Sequence, residues 1–380
     1  MAVTVREAAG SLLVVGLAGT ELTGLERAWL KLVRPGGVIL FRRNIADVLQ
    51  TRALLNEATG LGARHAVRCV DVEGGTVNRL RDALAPIASA QAVAAADRNR
   101  KRSSLARKHG ELIGRAVRAF GFNTTLAPVV DLTLPEATDV LGSRTTGATA
   151  TDVIGYAREF LAGVAGAGVV GCGKHFPGLG GAAGDTHFVT PAIERSWGRL
   201  WSEDTVPYRE LHKQMPMIMM NHAAYPLTEG KNVPASASRF WIAETLRKKI
   251  GYKGIVLSDD LEMGGILKFF PIEGAAVEAI RAGSDLLEIC HSAELILRSY
   301  EALITEAERS SAFRNILLKT ARDSGRKRTR LYRTRVSGPP TAKALESLRS
   351  NILAFNESIA AQANASAVVA PRASAPAEAS

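Results

Sequence analysis

The sequence predicts an α/β fold, a TIM (β/α)₈ barrel that forms a single domain with a helical C-terminal extension. Short apolar runs, several of them rich in β-branched residues, have the length of buried strands. They fall at residues 12–17, 38–41, 67–72, 125–130, 169–172, 217–220, 255–257 and 286–290. Apolar residues at three- and four-residue spacing predict helices at 105–120, 151–165, 238–249 and 272–282. Eight strands alternating with helices are typical of this barrel, and a doubly wound open sheet is the alternative.

Polar and ionisable residues gather where the predicted strands end. They are Asp71 and Glu73, Asp131, Lys174 and His175, Asn221 and His222, Ser258, Asp259 and Asp260, and Glu288 and His291. A (β/α)₈ barrel places its active site at the carboxyl ends of its strands. The pattern therefore predicts an enzyme, and a barrel that only binds its ligand remains the alternative.

Composition indicates a globular protein with a sizeable core, because 46% of the 380 residues are apolar and 22% are charged. The apolar run at 12–18 lacks a preceding basic region, so we interpret it as a first buried strand and not as a signal peptide. No run reaches the roughly 18 apolar residues of a membrane span. Cys69, Cys172 and Cys290 lack the spacing of a zinc site or the even number of a disulfide framework. We expect a soluble, cytoplasmic protein.

The net charge of +11 is concentrated in two segments, residues 98–108 and 326–335. Such runs can bind nucleic acid. Neither run has interleaved aromatic residues apart from Tyr332, which favours solvated surfaces over a nucleic-acid site. Long-range attraction of an anionic substrate is a third interpretation.

The alternation of strands and helices stops near residue 310. This predicts a barrel domain over residues 1–310 and a basic, helical C-terminal extension over 311–364. Residues 365–380 are rich in Ala, Ser and Pro, a composition typical of a disordered tail.

A glycine-rich loop, KHFPGLGGAAGDTH, follows the predicted strand at 169–172. Lys174 and His175 lie nearest the strand, and the glycines make the middle of the loop mobile. Asp185 and His187 form an Asp-x-His pair, in which the carboxylate can fix the imidazole tautomer for proton transfer. A mobile loop could bring this pair to a bound substrate. The alternative is that the two residues only form a loop turn.

Two further segments carry candidate site residues. In IVLSDDLEMGGI (255–266), Asp259 and Asp260 end a strand, and either catalysis or capping of a following helix by Asp260 or Ser258 would explain them. In CVDVEGGTVNRL (69–80), the Asp71 carboxylate could accept sugar hydroxyls, or Asp71 or Glu73 could form a salt bridge with Arg79.

Arg144 and Asp131 follow other predicted strands. Arg144 could bind a hydroxyl or an anion, or lie on the surface. Asp131 is interpreted as a supporting carboxylate and His222 as a pocket-wall or core residue.

Eight blocks in order resemble glycoside hydrolase family 3, and within it the single-domain bacterial β-N-acetylhexosaminidases of the NagZ type. They are GGVILFRRNI, VDVEGG-x-V-x-RL, APVVDL, LGSR, KHFPG-x-G…D-T-H, MIMMNHAAYP, LRKKIGYKGIVLSDDLEMGGI and AGSDLLEIC, and they extend from about residue 36 to residue 290. The set is far more specific than any one block would be.

The resemblance implies the chemistry. It makes Asp259 the nucleophile, His187 the acid/base and Asp185 the partner of His187. It assigns sugar binding to Asp71, Arg79, Arg144, Lys174 and His175, and it implies no metal and no organic cofactor. The implied activity is a retaining β-N-acetylglucosaminidase acting on muropeptide-like saccharides in peptidoglycan recycling.

The same resemblance leaves alternatives open. A family relative acting on glucosides is one, a phosphorylase is another, and a non-catalytic barrel that binds saccharide or nucleic acid is the third. We expect a monomer with no membrane partner and no nucleic-acid partner.

Three departures from the family pattern lie beside the candidate residues. Leu179 stands where the family often has His, Gly181 to Ala183 replace the polar middle of the loop, and Val72 and Thr76 alter the DQEGGRV pattern. They affect expectations about loop closure and substrate detail, but not about reaction type.

Overall fold

The computed structural model describes residues 3–98, 105–182, 190–231, 233–333 and 338–369. Within these ranges eight parallel strands close into a barrel in the order β1-β10-β9-β8-β7-β6-β3-β2. The barrel strands are β1 Leu13–Val15, β2 Gly37–Leu40, β3 Val67–Val70, β6 Thr124–Thr125, β7 Val170–Phe176, β8 Met217–Met220, β9 Ile255–Asp260 and β10 Leu286–Ile289. The (β/α)₈ barrel is confirmed, and the closed sheet excludes the doubly wound alternative.

Closure depends on the first strand, which pairs with neighbours from both ends of the chain. Leu13 lies opposite Leu287 of β10, and Val14 lies opposite Gly37 of β2. A two-stranded antiparallel hairpin, β4 Val72–Gly74 and β5 Val77–Asn78, extends from β3 above the barrel mouth.

The strand expected at 125–130 is shorter than predicted. Regular pairing covers only β6, because Pro128 has no N–H to donate to a neighbouring strand. The chain nevertheless stays beside β7, since the N–H of Cys172 donates to the carbonyl of Ala127 and the N–H of Val130 donates to the carbonyl of Lys174. Asp131 is thereby delivered to the same end of the barrel as Lys174.

Helices surround the barrel. Their bounds are α1 Val5–Ser11, α2 Gly24–Val33, α3 Val48–Gly60, α4 Ala90–Asp97, α5 Leu105–Ala119, α6 Thr138–Leu141, α7 Ala150–Gly166, α8 Trp197–Arg199, α9 Val206–Leu211, α10 Gly264–Leu267, α11 Ile272–Ala282, α12 Ala293–Arg309, α13 Ser311–Leu331 and α14 Ala342–Val369. The segments Leu200–Asp204 and Phe240–Lys249 are π-helical, and the second occupies the helix predicted at 238–249. Short 3₁₀ turns cover Arg42–Asn44, Pro135–Ala137, Gly142–Arg144 and Ala235–Ala237. No helix in the described ranges is both long and apolar enough to cross a bilayer.

The barrel interior is a packed apolar core. Its buried residues include Val14, Ile39, Val67, Cys69, Leu126, Cys172, Met217, Met219, Ile255, Leu257, Leu286 and Cys290. The three cysteines are free thiols. Tyr332 lies against this cluster, and its hydroxyl and that of Thr124 are 2.8 Å apart. Packed side chains fill such a barrel below the active-site end, so the chemistry must occur at the mouth.

Two helices of the predicted C-terminal extension pack on the barrel. Helix α13 contacts α1 and α12, and α14 contacts α4 and α5. From α14, the Asn356 side chain accepts a hydrogen bond from the N–H of Ala88 and donates one to the carbonyl of Pro86, both at 2.9 Å. The part of the predicted tail beyond residue 369 lies outside the described residues.

The basic segment at 326–335 is not simply a solvated surface, which corrects one expectation. Lys327 bonds both carboxylate oxygens of Asp285, at 2.7 and 2.9 Å. Arg328 is buried and donates to the carbonyl of Gly36. These two cations fix α13 to the barrel. Residues 99–104 of the other basic segment and residues 334–335 of this one are outside the described ranges.

Candidate active site

A pocket opens at the carboxyl ends of the barrel strands. Its lining includes Ile39, Phe41, Asp71, Glu73, Val77, Arg79, Leu126, Val140, Arg144, Lys174, His175, Leu179, Met219, Asp259, Asp260, Met263, Glu288, Cys290 and His291. The structure therefore brings together six of the eight candidate site residues, namely Asp71, Arg79, Arg144, Lys174, His175 and Asp259. The other two, Asp185 and His187, fall within residues 183–189, which lie outside the described residues.

An ion-pair network forms one wall of the pocket. The Lys174 ammonium lies 2.9 Å from Asp71 Oδ1 and 2.7 Å from Glu73 Oε1. Arg144 donates two parallel hydrogen bonds of 2.9 Å to the two oxygens of Glu73. Such bidentate pairs fix both distance and orientation.

The charges in this network are mutually stabilised. Burial opposes ionisation of Asp71 and Glu73. The charges of Lys174 and Arg79 outweigh burial at Asp71, and the charges of Arg144 and Lys174 outweigh it at Glu73. Both carboxyl pKa values are therefore lowered. Burial likewise opposes the Lys174 charge, yet Asp71 and Glu73 raise its pKa above the usual range. The wall thus presents ionised acceptors and charged donors at fixed positions.

Arg79 is less tightly held than Arg144. Its guanidinium lies 3.8 Å from Asp71 Oδ2 and 5.8 Å from the centre of the Phe41 ring. The salt bridge expected between Arg79 and a nearby carboxylate is thus present with Asp71 as a loose contact. Glu73 pairs with Arg144 and Lys174 instead, which the sequence did not indicate.

The turn between β4 and β5 requires glycine. Gly74 and Gly75 have φ of +93° and +60°, which favours residues without a Cβ. A Cβ on Gly74 would also lie 2.1 Å from the carbonyl oxygen of Ala88. The tight turn places Glu73 directly over the end of β7.

Asp131 positions His175. The His175 Nδ1 lies 2.6 Å from Asp131 Oδ2, and Asp131 Oδ1 accepts a 2.7 Å hydrogen bond from the N–H of Leu179. Because the carboxylate needs a donor, this contact assigns the proton to Nδ1 and leaves Nε2 facing Arg144 Nη2 at 3.3 Å. Asp131 therefore supports the site, as expected from the sequence, and it also fixes the start of the glycine-rich loop.

Asp259 and Asp260 end β9 with different surroundings. Asp259 lines the pocket, and its Oδ1 accepts a 2.9 Å hydrogen bond from the N–H of Asp260. Asp260 Oδ1 accepts from the N–H groups of Glu262 and Cys290 at 3.0 and 3.3 Å. Burial, together with the charges of Glu262 and Asp259, raises the Asp260 pKa to about 7. Asp259 is thus the more available carboxylate.

The helix-capping alternative for this segment is wrong. Helix α10 begins at Gly264, and the residue that precedes it is Met263, without a side-chain cap. Asp260 instead holds the turn after β9, and Ser258 Oγ accepts a 3.0 Å hydrogen bond from the N–H of Glu288. His222 is buried, as expected, with Nδ1 2.6 Å from Ser236 Oγ.

Glu262 closes the loop beside the pocket. Its carboxylate accepts hydrogen bonds from the N–H groups of Cys290, His291 and Ser292, at 3.1, 2.5 and 2.8 Å. Polar atoms of Asp260, Glu262 and His291 lie within 4.8 Å of one another, a spacing compatible with a metal ion. Because the Glu262 oxygens already accept hydrogen bonds from backbone N–H groups, we interpret this cluster as one that fixes the loop and not as a metal site.

Glu288 is a pocket residue that the candidate set missed. It lies on β10 and lines the pocket floor. Burial, followed by the negative charges of Asp71, Asp259 and Asp260, raises its carboxyl pKa well above the ordinary value. The available signal was one carboxylate inside an otherwise apolar strand, LLEI.

The ends of the glycine-rich loop are anchored in the described structure. Leu179 is buried and contributes to the pocket lining, so its apolar side chain occupies space near the ion-pair wall. On the far side, Thr190 Oγ1 donates to the carbonyl of Gly265 at 2.6 Å. The anchors bring both ends of the loop close to the pocket.

Comparison with known proteins identifies this architecture. The model of the glycosyl hydrolase family 3 N terminal domain matches residues 4–316. A β-hexosaminidase of Idiomarina loihiensis is 32% identical over 302 residues, covering 80% of this chain and 90% of the relative. Another β-hexosaminidase, from Xanthomonas axonopodis pv. citri, is 35% identical over 296 residues, covering 77% of this chain and 87% of the relative.

A solved structure shares the fold over almost the whole chain. A family 3 β-N-acetylglucosaminidase from Paenibacillus superposes with a TM-score of 0.84 at 29% identity, covering 94% of this chain and 69% of that one. NagZ from Neisseria gonorrhoeae in complex with N-trifluoroacetyl-D-glucosamine gives a TM-score of 0.69 at 27% identity, covering 82% of this chain and 98% of that one.

The barrel, its charged pocket and these matches define an enzyme of the glycoside hydrolase class. The chain belongs to glycosyl hydrolase family 3. The family resemblance drawn from the sequence motifs is confirmed.

Proposed function

We propose that this enzyme is a retaining exo-β-N-acetylglucosaminidase that removes terminal β-GlcNAc from peptidoglycan-derived saccharides. The observation that carries the proposal is a carboxylate at the end of β9, Asp259, facing a wall of fixed charged donors and acceptors in a family 3 barrel. Relatives named β-hexosaminidase support the substrate class.

In this mechanism Asp259 attacks the anomeric carbon and forms a covalent glycosyl ester. His187, held by Asp185, protonates the leaving oxygen and then removes a proton from the attacking water. Two displacements at the same carbon retain its configuration. Asp259 is half-buried in the pocket lining, where its carboxylate can reach a bound sugar.

Recognition of the sugar falls to the ion-pair wall. Asp71 offers carboxylate acceptors, while Lys174, Arg144 and Arg79 offer charged donors, and His175 offers a ring nitrogen. Charged hydrogen-bond partners are stronger than neutral ones, which suits a hydroxyl-rich ligand. The net charge of +11 would attract the carboxylates of a muropeptide-like substrate. Action as a monomer in the cytoplasm belongs to the same proposal.

The proposal is tested by release of p-nitrophenol from the β-GlcNAc and β-glucose substrates, with and without phosphate. We expect cleavage of the GlcNAc substrate that phosphate does not accelerate. Turnover that depends on phosphate and yields GlcNAc-1-phosphate would make the enzyme a phosphorylase. Cleavage of the glucoside alone would overturn the substrate assignment, and no cleavage of either would favour a barrel that only binds.

His187→Ala is expected to reduce turnover by about 10²- to 10⁴-fold, the contribution typical of a positioned acid or base. The loss should be larger on chitobiose than on the nitrophenyl substrate, because nitrophenolate leaves without protonation. His212→Ala is the control, since that imidazole bonds the carbonyl of Arg209 in α9 and is not among the residues that line the pocket. Equal activity of His187→Ala and wild type on chitobiose would remove His187 from this role.

A further inference from the structure

Glu288 has a position that the proposed mechanism does not use. It is 2% exposed and lies in the floor of the pocket, on the strand that follows Asp259 around the barrel. Its N–H is bound by Ser258 Oγ at 3.0 Å, so the backbone there is fixed. The side chain lies in the pocket lining, at a surface that a bound sugar would contact.

The carboxyl of Glu288 lacks a cationic partner. Among the described residues no Lys, Arg or His nitrogen forms an ion pair with it, and its contact within the protein is the Cys69 thiol, whose Sγ is 3.8 Å from Oε1. Lys174 is engaged by Asp71 and Glu73 instead. A buried carboxyl without a paired cation is far more stable as the neutral acid.

The neighbouring carboxylates act in the same direction. After burial, the charges of Asp71, Asp259 and Asp260 raise the Glu288 pKa, and the opposing charge of Lys174 does not cancel this effect. A neutral carboxylic acid carries one O–H donor and a carbonyl acceptor. It also spares Asp259 a second negative charge on the pocket floor, which would disfavour an ionised nucleophile.

We propose that Glu288 is a specificity-determining residue whose neutral carboxyl donates a hydrogen bond to an oxygen of the bound sugar, either a ring hydroxyl or the acetamido carbonyl. This inference rests on the proposed glycosidase function. The ligand chemistry is an uncharged oxygen acceptor, because an anionic group there would meet Asp71, Asp259 and Asp260. Glu288 touches substrate in this scheme and takes no part in bond breaking.

Two variants separate the hydrogen bond from other roles. Glu288→Leu removes donor and acceptor, and we expect kcat/KM for the β-GlcNAc substrate to fall about tenfold or more, chiefly through KM, because the sugar oxygen then faces an apolar side chain. Glu288→Gln keeps the shape, the neutral charge and an N–H donor, so its loss should stay within about threefold. Glu294→Leu, an exposed residue in the first turn of α12, is the unaffected control.

The partner oxygen is found by competition with GlcNAc and its 3-, 4- and 6-deoxy analogues, and with glucose, which lacks the acetamido group. The penalty of Glu288→Leu should disappear for the one ligand that lacks the partner oxygen, as in a double-mutant cycle. An infrared difference spectrum of wild type should show the protonated carbonyl band of Glu288 shift when GlcNAc binds, and the band should be absent in Glu288→Gln. This measurement does not depend on the folding of the leucine variant.

Wild-type kinetics in Glu288→Leu would overturn the proposal, as would an equal penalty for every analogue or a loss in Glu288→Gln as large as that in Glu288→Leu. An infrared band that does not respond to GlcNAc would also overturn it. Failure of the wild type to cleave any β-GlcNAc substrate would instead refute the proposed function, so the two failures are distinguishable.

Discussion

Asp259→Asn is expected to lower kcat/KM for the β-GlcNAc substrate by about 10⁴-fold or more, the scale on which loss of a covalent nucleophile is felt. The amide cannot displace the leaving group at the anomeric carbon, so the covalent step is lost. The fold should be unchanged, because the amide oxygen still accepts the hydrogen bond that Asp259 Oδ1 takes from the N–H of Asp260. Steady-state kinetics measures the loss of kcat/KM, and thermal unfolding of the same preparation shows whether the fold is unchanged.

The neighbouring carboxylate supplies the matched control. Asp260 is bound by the N–H groups of Glu262 and Cys290, so Asp260→Asn should weaken the turn and reduce turnover much less than Asp259→Asn. Azide offers a positive test, since it should restore turnover of Asp259→Gly and yield the α-glycosyl azide by a single displacement. Near-normal turnover in Asp259→Asn, or a larger loss in Asp260→Asn, would reverse the assignment of nucleophile.

Lys174→Met is expected to destabilise the fold by about 3–5 kcal/mol at pH 7, the cost of leaving a buried charge without its partner. The reason is that Asp71 and Glu73 share this ammonium within 2.9 Å. Without it, Glu73 keeps Arg144, but Asp71 keeps only the loose 3.8 Å contact with Arg79. Activity should fall with it, because the wall that we propose binds the sugar loses a charged donor. Chemical denaturation measures the free energy of unfolding, and nitrophenol release measures activity.

The pH dependence of this effect has a definite sign. Lys174 lowers the pKa of both carboxyls, so their stabilising contribution is present above the pKa of the unfolded groups and is lost as the pH falls. In Lys174→Met the carboxyls can be protonated more readily, so the difference from wild type should shrink between about pH 6 and pH 3.

Lys319→Met is the matched control for this prediction. Lys319 pairs with Asp323 at 2.9 Å but is 74% exposed, and removal of such a surface pair costs at most about 1 kcal/mol. A Lys174→Met protein as stable as Lys319→Met would mean that the buried network orients its side chains without adding to the free energy of unfolding.

Much of the fold follows from local patterns in the sequence. Apolar runs of strand length located seven of the eight barrel strands, and helical periodicity located α5, α7 and α11 to within a residue or two at each end. These signals are local, since a strand or helix buries the side chains that its own period places on one face. The failure at 125–130 is also instructive, because Pro128 breaks the pairing inside an otherwise apolar run.

The candidate site was only partly predictable in the same way. Asp71, Lys174, His175 and Asp259 could be named because each lies at or just past the carboxyl end of an apolar run of strand length, and parallel strands end on the same side of a barrel. Their roles came from the family motifs. The assignment of His187 and Asp185 stays a prediction, since residues 183–189 lie outside the described structure.

The sequence by itself determined the barrel, the family and the end of the barrel at which polar residues meet. The tertiary structure decided which charges pair: Glu73 forms ion pairs with Arg144 and Lys174, and Asp285 forms one with Lys327. It also showed that Glu288 is buried near Asp71, Asp259 and Asp260 and forms no ion pair with any Lys, Arg or His of the described residues. The physical reason is that hydrophobic periodicity acts over neighbouring residues, whereas ion pairing and desolvation depend on distances between side chains far apart in the chain, which only barrel closure sets.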